Sequence, residues 1–207
     1  MQTVLTLAQW ALDLRADQVP SSVLQRARLQ QLSCAGALRA AAGLPLAQAL
    51  ASIAPRGKFP VIGMGKKSSQ RGALRAHTTL IGALDYGDSL LWVGSSTGAC
   101  SVAWALAGKH SAEALDLAIV AANEVSGRIG LAGLLAPSSG PAWLSTQAGA
   151  AAIVAGRLQG LSAAELAHAL ALALGCVAKG LSPTMAARGL ATAAAIQAGV
   201  DAVELAK

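Results

Sequence analysis

The sequence predicts an all-α fold, and three observations carry that reading. Alanine and leucine dominate a chain of 207 residues that is 54% hydrophobic, while its aromatics are one Tyr, one Phe and four Trp. Small unbranched side chains favour helices that approach closely, and the β-branched and aromatic residues that favour sheets are scarce. Most of the chain falls into apolar patterns of helical length with recognisable starts and stops. Only Phe59 to Ile62 has a convincing strand signature. A chain of this length buries one substantial core and is too short for two full domains. Residues 1–207 are therefore expected to form a single helical-bundle domain, with at most a short β-hairpin near 59–65.

The elements follow in order. A first helix is expected over about Thr3–Leu14. Pro20 with Ser21 or Ser22 then starts a long helix, because proline suits a first turn and serine suits a cap. Val23, Ala27, Leu32, Ala35 and Leu38 form its apolar stripe, and Gly43 ends it. A shorter helix, "PLAQALASIAP", leads to "GKFPVIGMGKKSS", a β-rich run followed by a Gly-Met-Gly turn with two lysines. Glycines beside lysines evoke a phosphate loop, but the P-loop spacing is missing and a turn is the reading that remains. Arg71–Asp85 is helical, and after a loop "SVAWALAGKH" resumes a helix ending near Lys109. Ser111 caps the next helix, whose Leu115, Ile119, Val120 and Ala122 are core-like. "LAPSSGPAWLST" reads as a loop and "QAGAAAIVAGRLQGL" as a small-residue helix. Ser162 to Glu165 forms a capping box that opens another helix, and "MAARGLATAAAIQAGVDAVELAK" is the last. The small residues along these last helices imply backbones packed nearly in contact.

Several function classes are excluded early. No apolar run reaches bilayer length, since even "LSAAELAHALALALGCVAKGL" carries Glu165, His168 and Lys179. The N-terminus lacks the Lys or Arg that opens a secretory signal, and Trp10, Asp13 and Arg15 fit an amphipathic helix of the fold. A soluble, cytoplasmic protein without a membrane partner is expected. Cys34, Cys100 and Cys176 are odd in number and show no CxxC spacing, so they read as small core residues rather than as a disulfide framework or zinc site. The formal charge of +6 is unevenly spread. From Gln18 to Leu84 there is no Asp or Glu, yet Arg26, Arg28, Arg39, Arg56, Lys58, Lys66, Lys67, Arg71 and Arg75 lie there. Such a positive field suits an anionic small substrate, an acidic protein partner or plain solubility. Nucleic acid is not expected, because the basic residues are not interleaved with aromatics and match no recognition motif.

Against this acid-poor background, "GALDYGDSLLWVGSSTGA" from Gly82 to Ala99 stands out for Asp85 and Asp88. A Trp and a Gly-Ser-Thr run follow them, which reads as a loop leaving a helix end, where chemistry usually sits. Together, "FPVIGMGKKSSQRGALRAHTTLIGALDYGDS", "GRLQGLSAAELAHALALALGCVAKGL" and "AAAIQAGVDAVELA" resemble the helical domain of the MmgE/PrpD family, which includes 2-methylcitrate dehydratase, cis-aconitate decarboxylase and related epimerases. The motifs occur in family order and with similar spacing across nearly the whole chain. The resemblance implies an all-α domain, a homodimer, and chemistry on small polycarboxylates without a metal or organic cofactor. It also implies that an α+β lid domain, present in family members about twice as long, is absent here and half the pocket with it.

Motif by motif, the likeness is partial. The family's first motif is close to HALDFDDTH, so Asp85 matches its leading Asp, Tyr86 its Phe, Asp88 its third acidic position and Ser89 its Thr. Gly82 stands at the His and Gly87 at an Asp. Where the family has His-Pro-Ser-Gly, this chain has Ser95, Ser96, Thr97 and Gly98; where it has a second His-Pro, this chain has Gly140 and Pro141. The last motif, close to Met-Thr-Lys-Arg-Leu-His, puts Arg188 at the Lys and Ala191 at the His. Several imidazoles are thus lost together. Eliminating water or protonating a carbanion needs a group that titrates near neutrality, and Arg stays protonated. The dehydratase or decarboxylase activity is not expected to carry over intact.

Asp85 is the first catalytic candidate, as base or orienting group, unless it only ties down its loop by accepting backbone N–H bonds. His77 lies about two turns earlier and is the second, facing the same pocket end or else sitting partly buried on a helix flank. His168 reads as structural, and His110 as a helix C-terminal charge partner. Tyr86, Asp88, Ser89, Trp92, Trp143 and Arg188 are the candidate substrate contacts. Asp88 and Ser89 also suit plain turn geometry. The aromatics either fill vacated space or line a more apolar cavity, and Arg188 suits bidentate binding of a carboxylate. No metal site and no cofactor are expected. The expected function is cofactor-independent proton transfer (dehydration, double-bond isomerisation or cyclisation) on a hydrophobic carboxylic or acyl substrate, free or delivered by an acidic carrier protein, in specialised metabolism. The alternative is a non-catalytic helical dimer or accessory subunit that pairs with a lid-bearing partner chain. An enclosed cavity walled by Asp85 and a Trp separates the first reading from loops collapsed over the site.

Overall fold

The computed structural model describes residues 2–89, 94–134, 142–175 and 185–207. Among them are nine α-helices and one hairpin: α1 (Gln2–Asp13), α2 (Ser21–Ala41), α3 (Pro45–Ile53), β1 (Phe59–Val61), β2 (Lys66–Ser68), α4 (Gln70–Gly82), α5 (Ser96–Leu106), α6 (Ala112–Leu134), α7 (Ala142–Leu158), α8 (Ala163–Gly175) and α9 (Met185–Leu205). The all-α expectation holds. The strand signal opens an antiparallel hairpin that pairs Phe59 with Ser68 and Val61 with Lys66, so it reaches a little beyond the expected 59–65.

Helix starts follow local chemistry. Ser69 Oγ accepts from the Gly72 N–H at 3.1 Å at the head of α4, and Ser111 Oγ accepts from Ala114 at 3.2 Å at the head of α6. The capping box of α8 is complete: Ser162 Oγ accepts from the Glu165 N–H at 3.3 Å while Glu165 Oε2 accepts from the Ser162 N–H at 2.7 Å.

The centre of the bundle is α7, which packs on α5, α6, α8 and α9. Its run Ala150 to Ala155 is buried on every side, as expected of a stretch with no polar side chain. At Gly199 of α9 a Cβ would stand 2.2 Å from the Ala148 carbonyl oxygen of α7, so the two backbones are nearly in contact. The small residues of the last helices serve that close approach.

Three local expectations are corrected. On α2, Val23 is 40% and Leu32 69% exposed; the buried stripe is Ala27, Cys34, Ala37, Leu38 and Ala41. Leu38, a cysteine and small alanines face the core there, while Val23 and Leu32 face outward. The Ser96-Thr97-Gly98 run is not loop but the first turn of α5, and Trp143 to Thr146 lie in α7 rather than in a preceding loop. Cys34 and Cys100 are free buried thiols. The neighbouring Cys34 thiol and burial together push the Cys100 pKa well up, which leaves Cys100 unreactive. Cys176 lies outside the described residues.

The basic third finds part of its counter-charge far away in sequence. Arg28 meets the buried Asp116 of α6 at 2.7 Å, and Arg71 meets Asp201 of α9 at 2.5 Å. Among the described residues, no single helix is long and apolar enough to cross a membrane.

Candidate active site

The chain leaving α4 turns sharply at Asp85. Its N–H donates to the Gly82 carbonyl at 3.3 Å, and its φ of 56° is the only positive value among the described non-glycine residues. Asp tolerates this left-handed conformation better than most residues, yet it is still a cost that the surroundings must impose. The turn carries the carboxylate to α9, where Arg188 Nη1 lies 3.5 Å from Asp85 Oδ2. Gly189 makes that meeting possible. A Cβ there would stand 2.9 Å from the Thr79 carbonyl oxygen, so only glycine lets the start of α9 lie this close to α4.

Asp85 and Arg188 sit on the wall of a cleft of about 360 Å³, lined also by Asp88, Ser89, Ser96, Thr97, Trp143, Gln147 and Thr192, with glycines between them. The side chains of Asp85 and Arg188 remain 67% and 45% exposed. Their ion pair is accordingly long and solvated, of little worth to stability, and free to exchange for a ligand.

Asp88 is held differently. Gln30 Nε2 of α2 donates to Asp88 Oδ2 at 2.7 Å, Asn123 Nδ2 of α6 donates to Gln30 Oε1 at 2.8 Å, and Ser95 Oγ donates to Asn123 Oδ1 at 2.7 Å. The relay runs one way, every donor pointing toward the carboxylate. It draws the Ser95 hydroxyl off capping duty at α5, whose own N-cap residue makes no side-chain cap bond. Gln147 of α7 covers part of that deficit: its Oε1 accepts from the Gly98 N–H at 2.6 Å.

The sequence-based candidates therefore divide. Asp85, Asp88, Ser89, Trp143 and Arg188 come together on the cleft. Tyr86 is 65% exposed and is not among the lining residues. Trp92 lies outside the described residues. His77 does not face the pocket end with Asp85. It is 2% exposed, its Nε2 accepts from the Ile62 N–H at 3.0 Å, and its ring stands edge-on to Trp104 with centroids 6.1 Å apart. Burial lowers its pKa to about 4, so it is a neutral acceptor that fastens the hairpin to α4.

As the described residues line it, the cleft is neither enclosed nor especially apolar, and Trp143 is the one large apolar side chain among them. Among the described residues the Asp85 carboxylate pairs with Arg188 rather than with backbone. Gln30, Asn123, Gln147 and Thr192 carry no motif and were not legible as site residues. An Asn within the apolar run of α6 was the only hint. Among the described residues no group of three or more His, Cys, Asp or Glu comes together in a way that would hold a metal ion.

The family model of the MmgE/PrpD N-terminal domain matches residues 5–207. No curated protein matches the chain.

Proposed function

The chain belongs to the MmgE/PrpD family, matching its N-terminal domain across nearly its whole length, and we propose that its cleft carries out cofactor-independent proton transfer on a carboxylic substrate, with Asp85 as the base. One observation carries this reading. Asp85 is held in a left-handed backbone conformation at a cleft wall, and among the described residues its carboxylate is committed only to a loose ion pair. Strain of this kind, of order 1–3 kcal/mol, persists where the surroundings fix a side chain for use. Arg188 supplies a planar donor pair for the substrate carboxylate, and binding there would release Asp85 from its partner. The lining of small polar side chains and glycines favours a small polar acid over the hydrophobic carboxylic or acyl substrate expected from the sequence. Trp143 gives one apolar wall for a short hydrocarbon part. A homodimer is part of the proposal, since a covering chain would exclude the water that an open cleft admits.

A second reading, a helical accessory subunit that completes its site with a lid-bearing partner chain, is favoured by the exposure of Asp85 and Arg188, at 67% and 45%.

The test needs no knowledge of the full reaction. The protein is incubated in D₂O with a panel of small carboxylic acids bearing α or allylic C–H bonds, and deuterium uptake is followed by proton NMR. The expected result is exchange on at least one acid, reduced by at least about a hundredfold in Asp85→Asn with helical circular dichroism unchanged. Equal exchange in wild type and variant, or none with any acid, overturns the proposal.

A further inference from the structure

The first turn of α5 is under-capped in a way that leaves donors without acceptors among the described residues. A helix of 11 residues begins at Ser96, and its N-cap residue, Ser95, has given its hydroxyl to Asn123. Of the first-turn amides, Gly98 donates to Gln147 and Ala99 to the Ser95 carbonyl, whereas the N–H groups of Ser96 and Thr97 have no acceptor among the described residues. Ser96 is only 1% exposed, and its Oγ is one of four buried side-chain polar atoms without a partner among the described residues. An orphaned buried hydroxyl beside two free amides is a costly arrangement unless something accepts from them. Both residues lie on the wall of the cleft that holds Asp85 and Arg188.

We propose that the first turn of α5 is an oxyanion subsite, in which the Ser96 and Thr97 N–H groups and Ser96 Oγ hold one carboxylate group. The described charges of the cleft are two carboxylates, Asp85 and Asp88, against one guanidinium, Arg188, which by themselves discourage an anion. The α5 N-terminus reverses that locally: its free N–H groups carry the positive end of the helix dipole. Asp88 Oδ2 is engaged by Gln30 at 2.7 Å. This inference deepens the proposed function by giving the substrate carboxylate a place on the cleft wall that Asp85 shares.

The test is a titration of the ¹⁵N-labelled chain with sodium acetate at constant ionic strength, with a parallel arm using inorganic phosphate. Acetate is expected to shift the Ser96 and Thr97 amide resonances in a saturable way. Ser96→Pro removes one N–H and the hydroxyl at a position where proline suits a helix, and should weaken acetate about tenfold. Ser96→Ala keeps the N–H and should weaken it less. If Ser96→Pro fails to fold, Ser96→Ala alone still has to lower the affinity. Saturable shifts with phosphate but not acetate, shifts confined to the hairpin lysines, or unchanged affinity in both variants overturn the subsite. Proton exchange with no acetate shift at Ser96 and Thr97 would sink the subsite and leave Asp85 chemistry standing. Acetate binding without Asp85-dependent exchange would do the reverse.

Discussion

His77 offers a stability switch whose size follows from its surroundings. In the fold its Nε2 accepts from the Ile62 N–H at 3.0 Å, so a proton on that nitrogen would set donor against donor in a buried site. Burial lowers the pKa from the ordinary 6.5 to about 4. A depressed pKa means that the unfolded chain takes up the proton first as pH falls, so stability is full above about pH 6.5 and lost progressively toward pH 4. At about 1.4 kcal/mol for each tenfold loss of proton affinity the limit is about 3 kcal/mol, of which about 2 kcal/mol is gone by pH 5. Urea unfolding followed by circular dichroism at pH 7.5 and pH 5 should therefore show a midpoint lower by roughly 1 M at the acid end. His77→Gln keeps an oxygen able to accept from Ile62 and does not titrate. It should lose most of that difference, although it is less stable at neutral pH. If wild type and His77→Gln fall in parallel between the two pH values, the buried imidazole is not the cause.

Three further predictions concern packing and the relay. Gly199→Ala would place a methyl 2.2 Å from the Ala148 carbonyl oxygen and 2.9 Å from the Ala151 Cβ, and should cost about 3 kcal/mol, read as a melting temperature lower by about 8 °C. Gly36→Ala on α2, with nothing within 4 Å, should leave the melting temperature unchanged or raise it slightly. Gln30→Leu and Asn123→Leu each break the chain of hydrogen bonds to Asp88, at about 1 kcal/mol apiece. Because they share one bond, the double variant should cost measurably less than the sum in denaturant unfolding, and strict additivity would show that the relay does not act as a unit.

The fold was largely legible because its signals are local. Ser69, Ser111 and the Ser162–Glu165 box act within one turn of chain, and α7 shows its burial through a run of small and branched residues with no polar face. What misled was α2. There two large apolar side chains, Val23 and Leu32, face outward while the core takes Leu38 together with Cys34 and alanines, so size was a poor guide to which face is buried. The Ser96-Thr97-Gly98 run looked like loop because small polar residues and glycine favour turns, whereas tertiary partners such as Gln147 stabilise it as a helix start. At the site, Asp85 and Arg188 were legible through motif likeness although 103 positions separate them. Gln30 and Asn123 were not, because amides paired across 93 positions leave no mark in periodicity or spacing. His77 was misplaced for a related reason: a helical offset gives a direction along α4 but not which neighbour, here the hairpin, will claim the ring.

The loss of imidazoles also narrows the proposed chemistry. Where the family motif carries a histidine, Ser95 spends its hydroxyl on Asn123, and the described titratable residues lining the cleft are Asp85, Asp88 and Arg188. Expelling hydroxide from a substrate calls for an acid that can release a proton near neutrality, and a guanidinium does not. A single carboxylate can instead remove a proton from one carbon and return it to another on the same face, while fixed donors hold the charge that builds on the carboxylate oxygens. On the proposed reading, Asp85 with the donors of α5 and Arg188 is therefore better suited to isomerisation than to dehydration. The deuterium experiment separates the two: isomerisation by one base exchanges or transfers label without loss of a hydroxyl, whereas dehydration would yield an unsaturated product and require an acid from a covering chain.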